Sequence, residues 1–304
     1  MREINITQSI AGLYLKNPFI LASGIMDTTA ETMLRLAPYA GAIITKSIGL
    51  EERKGYDNPV IFEFSHGLLN AMGLPNPGIE KFRSEMEKLR SAETPVIGSI
   101  FGKDEHEFSI LAQKMEAYGA RAVELNLSCP HARGYGMEIG RNPENVRKIV
   151  HAVKRTVGIP VLAKLTPNVS DIVEIGLAAE NGGADAVVAI NTVRAMRIDI
   201  EFARSVLSAG FGGYSGPGIL PIGIRCVYEL KQHLNVPVIG CGGIETWQDA
   251  VEYFLAGACA VEIGSALRKD ITIFKKLEAG LVRYMKRKGY TTMDEVIALA
   301  HKNR

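Results

Sequence analysis

What this sequence has little of narrows it first. Only four of its 304 residues are cysteines, Cys129, Cys226, Cys241 and Cys259, and none stands in CxxC spacing. That excludes a thiolate set for an iron–sulfur cluster held by this chain, offers no disulfide framework, and points to a reducing compartment. The six histidines form neither HExxH nor HxH, which argues against a protein metal site. No apolar run approaches the roughly 20 residues of a membrane span, and the opening MREINITQSIAGLYL has no signal-type apolar region, so a cytoplasmic chain without a membrane contact is expected. Charge of one sign is missing too: 35 Lys and Arg face 33 Asp and Glu, giving a formal +2, too mild to imply a nucleic-acid or membrane surface. The densest basic run, Lys286-Arg287-Lys288, falls at the end of an expected helix, where cations favour the helix dipole.

What is present is repetition. With 47% hydrophobic and 22% charged residues the chain is globular, and eight apolar runs of strand length recur along it, at 18–24, 41–47, 95–101, 122–128, 160–166, 186–192, 237–243 and 260–266. Most of the stretches between them have helical periodicity, as in IEKFRSEMEKLRS, DEHEFSILAQKMEAYG, NPENVRKIVHAVKRT and WQDAVEYFLAG. Near-continuous Val, Ile and Leu describe strands covered on both faces, the condition of a parallel sheet. Eight such units predict an α/β fold, a (β/α)8 TIM barrel in one domain over 1–304, with long site-building loops at 48–78 and 193–220 on its C-terminal face. The competing open doubly wound sheet lacks its GxGxxG after the first strand.

In such a barrel the reactive side chains gather at strand C-termini. Those positions carry Ser23 and Gly24, Lys46 and Ser47, Ser99, Asn126 and Cys129, Lys164, Asn191 and Thr192, Gly242 and Gly243, and Gly264 and Ser265. Glycines after the seventh and eighth strands either turn tight loops or free backbone N–H groups for a phosphate, and their occurrence at both of the last two strands favours the phosphate. Lys46 and Lys164 point towards the mouth if the pleat is regular. There they either neutralise an anionic or electron-rich ligand, such as a reduced flavin, or pair with buried acids. Asn70, Asn126, Asn191 and Thr192 suit a small planar ligand with carbonyl, N–H and carboxylate groups. Cys129, in ELNLSCP at a polar, cationic mouth, suits a general base, whereas Cys226, Cys241 and Cys259 read as inert thiols in apolar surroundings.

In chain order, NPFILASG, GAIITKS, NAMGLPNPG, ELNLSCPH, AKLTPNV, AINTV, GGYSGPGI, IGCGGI and EIGSAL resemble the cysteine-using class 1 of the dihydroorotate dehydrogenase family, over roughly residues 3 to 267. That resemblance implies an FMN enzyme oxidising (S)-dihydroorotate to orotate in pyrimidine synthesis, with Cys129 removing the C5 proton. It implies that Lys46, Asn70, Ala71, Met72, Gly73, Leu74, Asn126, Asn191 and Thr192 hold the pyrimidine. Ser23, Lys46, Ser47, Ser99, Asn126, Lys164, Ile190, Gly216, Gly242, Gly243, Gly264 and Ser265 would hold FMN, although Ser99 stands where the family usually has asparagine. SGPGILPI and the ending KGYTTMDEVIALAHK are most similar to the NAD-dependent type, which implies a partner chain bearing FAD and a 2Fe–2S cluster, around a homodimer core or in a heterotetramer. The alternatives are the fumarate-using type and a reduction of uracil or thymine like that of dihydropyrimidine dehydrogenase.

Overall fold

The computed structural model describes residues 4–127 and 139–303. Eight short strands are built from the eight apolar runs: β1 Phe19–Leu21, β2 Ala42–Ile44, β3 Val96–Ile100, β4 Ala122–Asn126, β5 Val161–Lys164, β6 Ala186–Ala189, β7 Val238–Cys241 and β8 Ala260–Ile263. They pair in parallel with their sequence neighbours, and β8 pairs with β1, closing the barrel. Helices α1 Ala30–Leu36, α2 Ile79–Leu89, α3 Glu105–Tyr118, α4 Pro143–Lys154, α5 Ile172–Gly182, α6 Leu220–His233, α7 Trp247–Ala256 and α8 Ile273–Lys288 lie between and after the strands. Four of them start where a side chain satisfies free N–H groups: Asp104 for α3, Asn142 followed by Pro143 for α4, Asp171 for α5, and Thr246 in a capping box with Asp249 for α7. The expected TIM barrel is therefore the architecture observed.

The two-residue period of a strand divides the core in two. Phe19, Leu21, Ile43, Val123, Leu125, Val161, Val187 and Val261 point outwards into one cluster with the helices. Ile20, Ala42, Ile44, Ile97, Ala122, Leu162, Val188, Ile239 and Ala260 point inwards into a second, which also contains Ile10, Leu13 and Leu15. Those three belong to an antiparallel hairpin, Gln8–Ile10 with Leu13–Leu15, that stoppers the N-terminal end of the barrel. Leu15 is 1% exposed. Leu15→Ala is expected to cost about 2–5 kcal/mol through lost transfer and a cavity, read as a lower urea midpoint with an unchanged slope.

The segments 48–78 and 193–220, expected as loops, contain strands. Ile61–Phe64, Gly67–Asn70, Gly212–Ser215 and Val193–Ala195 form an antiparallel sheet over the C-terminal face, with Asn70 opposite Gly213 and Val193 opposite Tyr214. Ile61, Leu68, Asn70, Gly213 and Ser215 of this sheet face the cavity, and its other side packs Leu69, Ala71 and Leu207 with Phe62, Phe64 and Tyr214. Among the described residues no helix is long and apolar enough to cross a membrane.

Candidate active site

The inward-pointing residues change character along the barrel axis. Below are Ala122, Leu162, Ile239 and Ala260; one pleat further on, the same strands present Glu124, Lys164, Cys241 and Glu262, joined by Ser99 from β3. Lys164 Nζ lies 2.5 Å from Glu262 Oε2 and 3.6 Å from Glu124 Oε2, so it reaches across the barrel from β5 to β8 as well as to adjacent β4. Ser99 Oγ donates to Glu124 Oε1 at 3.3 Å and lies 2.9 Å from Ser47 Oγ. Ser47 Oγ is 3.1 Å from Ser23 Oγ and accepts from Asn126 Nδ2 at 3.1 Å. A hydroxyl and amide chain thus connects the ends of four strands.

Burial, and then the neighbouring Glu262 charge, push the Glu124 carboxyl well above the usual carboxylate range. Burial alone would lower the Lys164 ammonium, yet the charges of Glu124 and Glu262 outweigh it and hold lysine protonated. The alternative in which Lys164 pairs with buried acids is therefore realised, while its chain still lines the cavity. Cys241 corrects an expectation: its thiol sits in this charged layer beside Lys164 and Glu262, because β7 turns residue 241 inwards. Burial raises that thiol strongly. Cys226 and Cys259 behave as expected, pushed up by burial to about 11 and about 12 respectively.

Because the Glu124 carboxyl is raised, the folded chain keeps a proton that the unfolded chain releases. The associated stability is present below the ordinary value of 4.5 and is lost as pH rises towards the folded value. Glu124→Gln is expected to flatten that decline, so its urea midpoint should gain on the unmodified chain steadily as pH rises from 4.5. Parallel midpoint curves would refute the assignment.

Above this floor stand the polar side chains of the mouth. Lys46 follows β2, with its backbone N–H on Asp27 O at 2.9 Å, and buried Asp27 accepts from Gly24 N at 2.5 Å. Asn191 Nδ2 donates to Asn126 Oδ1 at 3.4 Å, and its own Oδ1 accepts from Thr192 N at 2.7 Å. Asn168 Nδ2 holds Thr192 O at 3.1 Å. Asn70 Nδ2 donates to Gly213 O at 3.4 Å. Gly213 has to be glycine, because a Cβ there would fall 2.2 Å from Thr192 Oγ1, and that close approach brings the covering sheet onto β6's end.

These groups line one cavity of about 710 Å³, within the usual range of about 300–1,000 Å³ for ligand sites. Of the pyrimidine set, Lys46, Asn70, Met72, Gly73, Leu74, Asn126, Asn191 and Thr192 are on its wall. Of the cofactor set, so are Ser23, Ser47, Lys164, Ile190, Gly242, Gly243, Gly264 and Ser265. Three expected residues are not brought to the wall. Ala71 is buried with Leu69 and Leu207 on the side of the covering sheet away from the cavity, Ser99 lies behind Ser47, and Gly216 packs against Gly67. Cys129 lies outside the described residues; β4 ends at Asn126, three positions before it. Sequence reasoning missed Glu124, Glu262, Asp27, Asn168 and Cys241. A signal existed for the first two: an acid at an inward position of an otherwise apolar strand must be paired or neutral.

The N–H groups of Gly242, Gly243, Gly264 and Ser265, at the ends of adjacent β7 and β8, donate to no acceptor among the described residues. A Cβ on Gly243 would come 2.6 Å from Leu220 N, so no side chain can fill the space before them. Free amides bordering a cavity are an anion cradle, and this donor set fits the phosphate of a mononucleotide.

A family model described as dihydroorotate dehydrogenase matches residues 5–285. The chain is 55% identical over 304 residues to a Pyrococcus abyssi protein named dihydroorotate dehydrogenase B (NAD(+)), catalytic subunit, covering 99% of this chain and 100% of that protein. It is 48% identical to a Methanocaldococcus jannaschii protein of the same name, again covering 99% and 100%. The crystal structure of an Eimeria tenella dihydroorotate dehydrogenase in complex with ferulenol superposes with a TM-score of 0.84 at 22% identity, over 98% of this chain and 89% of that one, and shares the fold.

Proposed function

The chain belongs to the dihydroorotate dehydrogenase family, and from that premise we propose that it is the catalytic subunit of an NAD-linked enzyme that oxidises dihydroorotate to orotate for pyrimidine synthesis. One observation carries the reading: Lys46, Asn70, Asn126, Asn191 and Thr192 share a single cavity with the free amides of Gly242, Gly243, Gly264 and Ser265. FMN would be held there, with Gly242, Gly243, Gly264 and Ser265 as the residues for its phosphate and Lys46, Ser47 and Lys164 as those for its ring, and it would supply the acceptor for a hydride.

The remaining chemistry belongs to the chain's own side chains. Asn70, Asn126, Asn191 and Thr192 supply amide and hydroxyl partners for the carbonyl, N–H and carboxylate groups of a flat pyrimidine, fixing which face meets the base. Lys46 offsets the substrate's carboxylate charge. Cys129, three positions past the last residue of β4, takes the proton from C5. Loss of that proton together with hydride from C6 leaves the C5–C6 double bond of orotate. The names of the relatives support a partner subunit, to which we assign FAD and a 2Fe–2S cluster for passing electrons to NAD, in a cytoplasmic assembly built on a homodimer.

Dihydroorotate added without oxygen to the purified yellow chain should bleach the flavin absorbance, while dihydrouracil should leave it unchanged. A chain that takes up no FMN, or one bleached equally by dihydrouracil, would overturn the reading.

A further inference from the structure

Two buried carboxyl groups, Glu124 and Glu262, have no part in the chemistry above. Glu124 is 0% and Glu262 1% exposed, and the apolar layer with its hairpin stopper lies beneath them. Five polar side chains meet at this level, from five strands: Ser99, Glu124, Lys164, Cys241 and Glu262. Only Lys164 is cationic, and it touches Glu262 at 2.5 Å and Glu124 at 3.6 Å. Both carboxyl groups therefore converge on one ammonium, from β4 and from β8. Neither Glu124 Oε2 nor Glu262 Oε1, both buried, accepts a hydrogen bond from any of the described residues.

Two buried carboxylates sharing one ammonium repel each other through a medium that screens poorly. A single proton lying between the carboxyls removes one charge and gives the orphaned oxygens a donor. We propose that Glu124 and Glu262 share one proton and are positioning residues, holding the Lys164 ammonium at the base of the cavity in a unit of zero net charge. The raised Glu124 carboxyl agrees with this count. Dyads of this kind titrate as a pair, so the proton belongs to both residues.

The functional consequence rests on the flavin reading. A neutral floor places beside the ring a cation already engaged by a carboxylate, which sets how strongly the site favours a reduced, more negative ring. Either single glutamine variant keeps one carboxylate for Lys164. Glu124→Gln leaves Glu262 as the anion, and in Glu262→Gln the lone Glu124 becomes the anion. The double variant leaves Lys164 uncompensated.

Infrared spectroscopy of the full-length chain tests the proton directly. The carbonyl band of a protonated carboxylic acid is expected at neutral pH and should vanish in E124Q and in E262Q. No such band in the unmodified chain, or a band surviving in both variants, would overturn the proposal; survival would move the proton to another acid such as Asp27. The band is read with or without flavin, so it remains decisive even if the chain takes up no FMN and the functional reading fails. With FMN bound, the double variant should favour the reduced flavin by tenfold or more, an upward shift of about 30 mV or more for a two-electron couple, and each single variant should shift less. An unmoved potential in a fully loaded double variant would overturn the positioning role. Should the double variant not fold, the infrared comparison of the single variants decides.

Discussion

Replacing Cys129 by alanine is expected to lower dihydroorotate oxidation by about 10²–10⁴-fold, the usual weight of a positioned acid or base, while the protein still emerges yellow. The asymmetry follows from where the contacts are. In the proposed site the phosphate amides are those of Gly242, Gly243, Gly264 and Ser265 and the ring would meet Ser47 and Lys164, a set of residues that does not include Cys129. Stopped-flow bleaching of the bound flavin measures the reductive half alone, free of any partner subunit. Cys129→Ser should regain part of the rate only towards alkaline pH, because a hydroxyl gives up its proton far less readily than a thiol. Full activity of the serine variant at neutral pH, or flavin lost in step with activity, would remove Cys129 from the role of base.

Lys164→Met is expected to have the largest effect on the fold. The substitution leaves the buried Glu262 and Glu124 without their cation, and breaking a buried pair from one side costs about 3–5 kcal/mol. The cost should depend on pH with a definite sign. In the variant the carboxyls are easily neutralised by protonation, so the deficit shrinks as pH falls towards the ordinary carboxylate range of about 4 and is complete at neutral pH. Urea midpoints at pH 5 and pH 7.5 compare the two, and flavin retention on a desalting column reports the cavity, which should weaken about tenfold or more. A midpoint unchanged from that of the unmodified chain at both pH values would mean that the lysine is not the counter-ion of this layer.

Much of the barrel was legible because its signal is local. A run such as PVLAKLT or AVVAIN needs only its own residues to declare a strand covered on both faces, and the eight runs each contain one barrel strand. Their ends were read too long. The run at 186–192 continues in apolar and polar residues past Ala189, where the ladder stops and the site begins. The covering sheet was not legible at all, because GLLN and GGYS are four-residue strands containing glycine, and Asn70 finds its partner Gly213 a distance of 143 residues along the chain.

The site divides in the same way. Lys46, Asn126, Asn191 and the paired glycines were recoverable from strand ends, because a parallel barrel delivers those positions to one face. The pairing of Lys164 with Glu262 was not, since it joins strands that are not neighbours, across the interior. Parity alone would have warned that Cys241 faces inwards with them: residue 239 is in the inner cluster, and 241 follows two positions later.

The stopper formed by residues 8–15 decides the traffic of the whole site. With that end plugged by Ile10, Leu13 and Leu15, the cavity above the charged floor is, among the described residues, the approach to it. A ligand seated in the mouth would stand between Glu124, Lys164, Glu262 and bulk water.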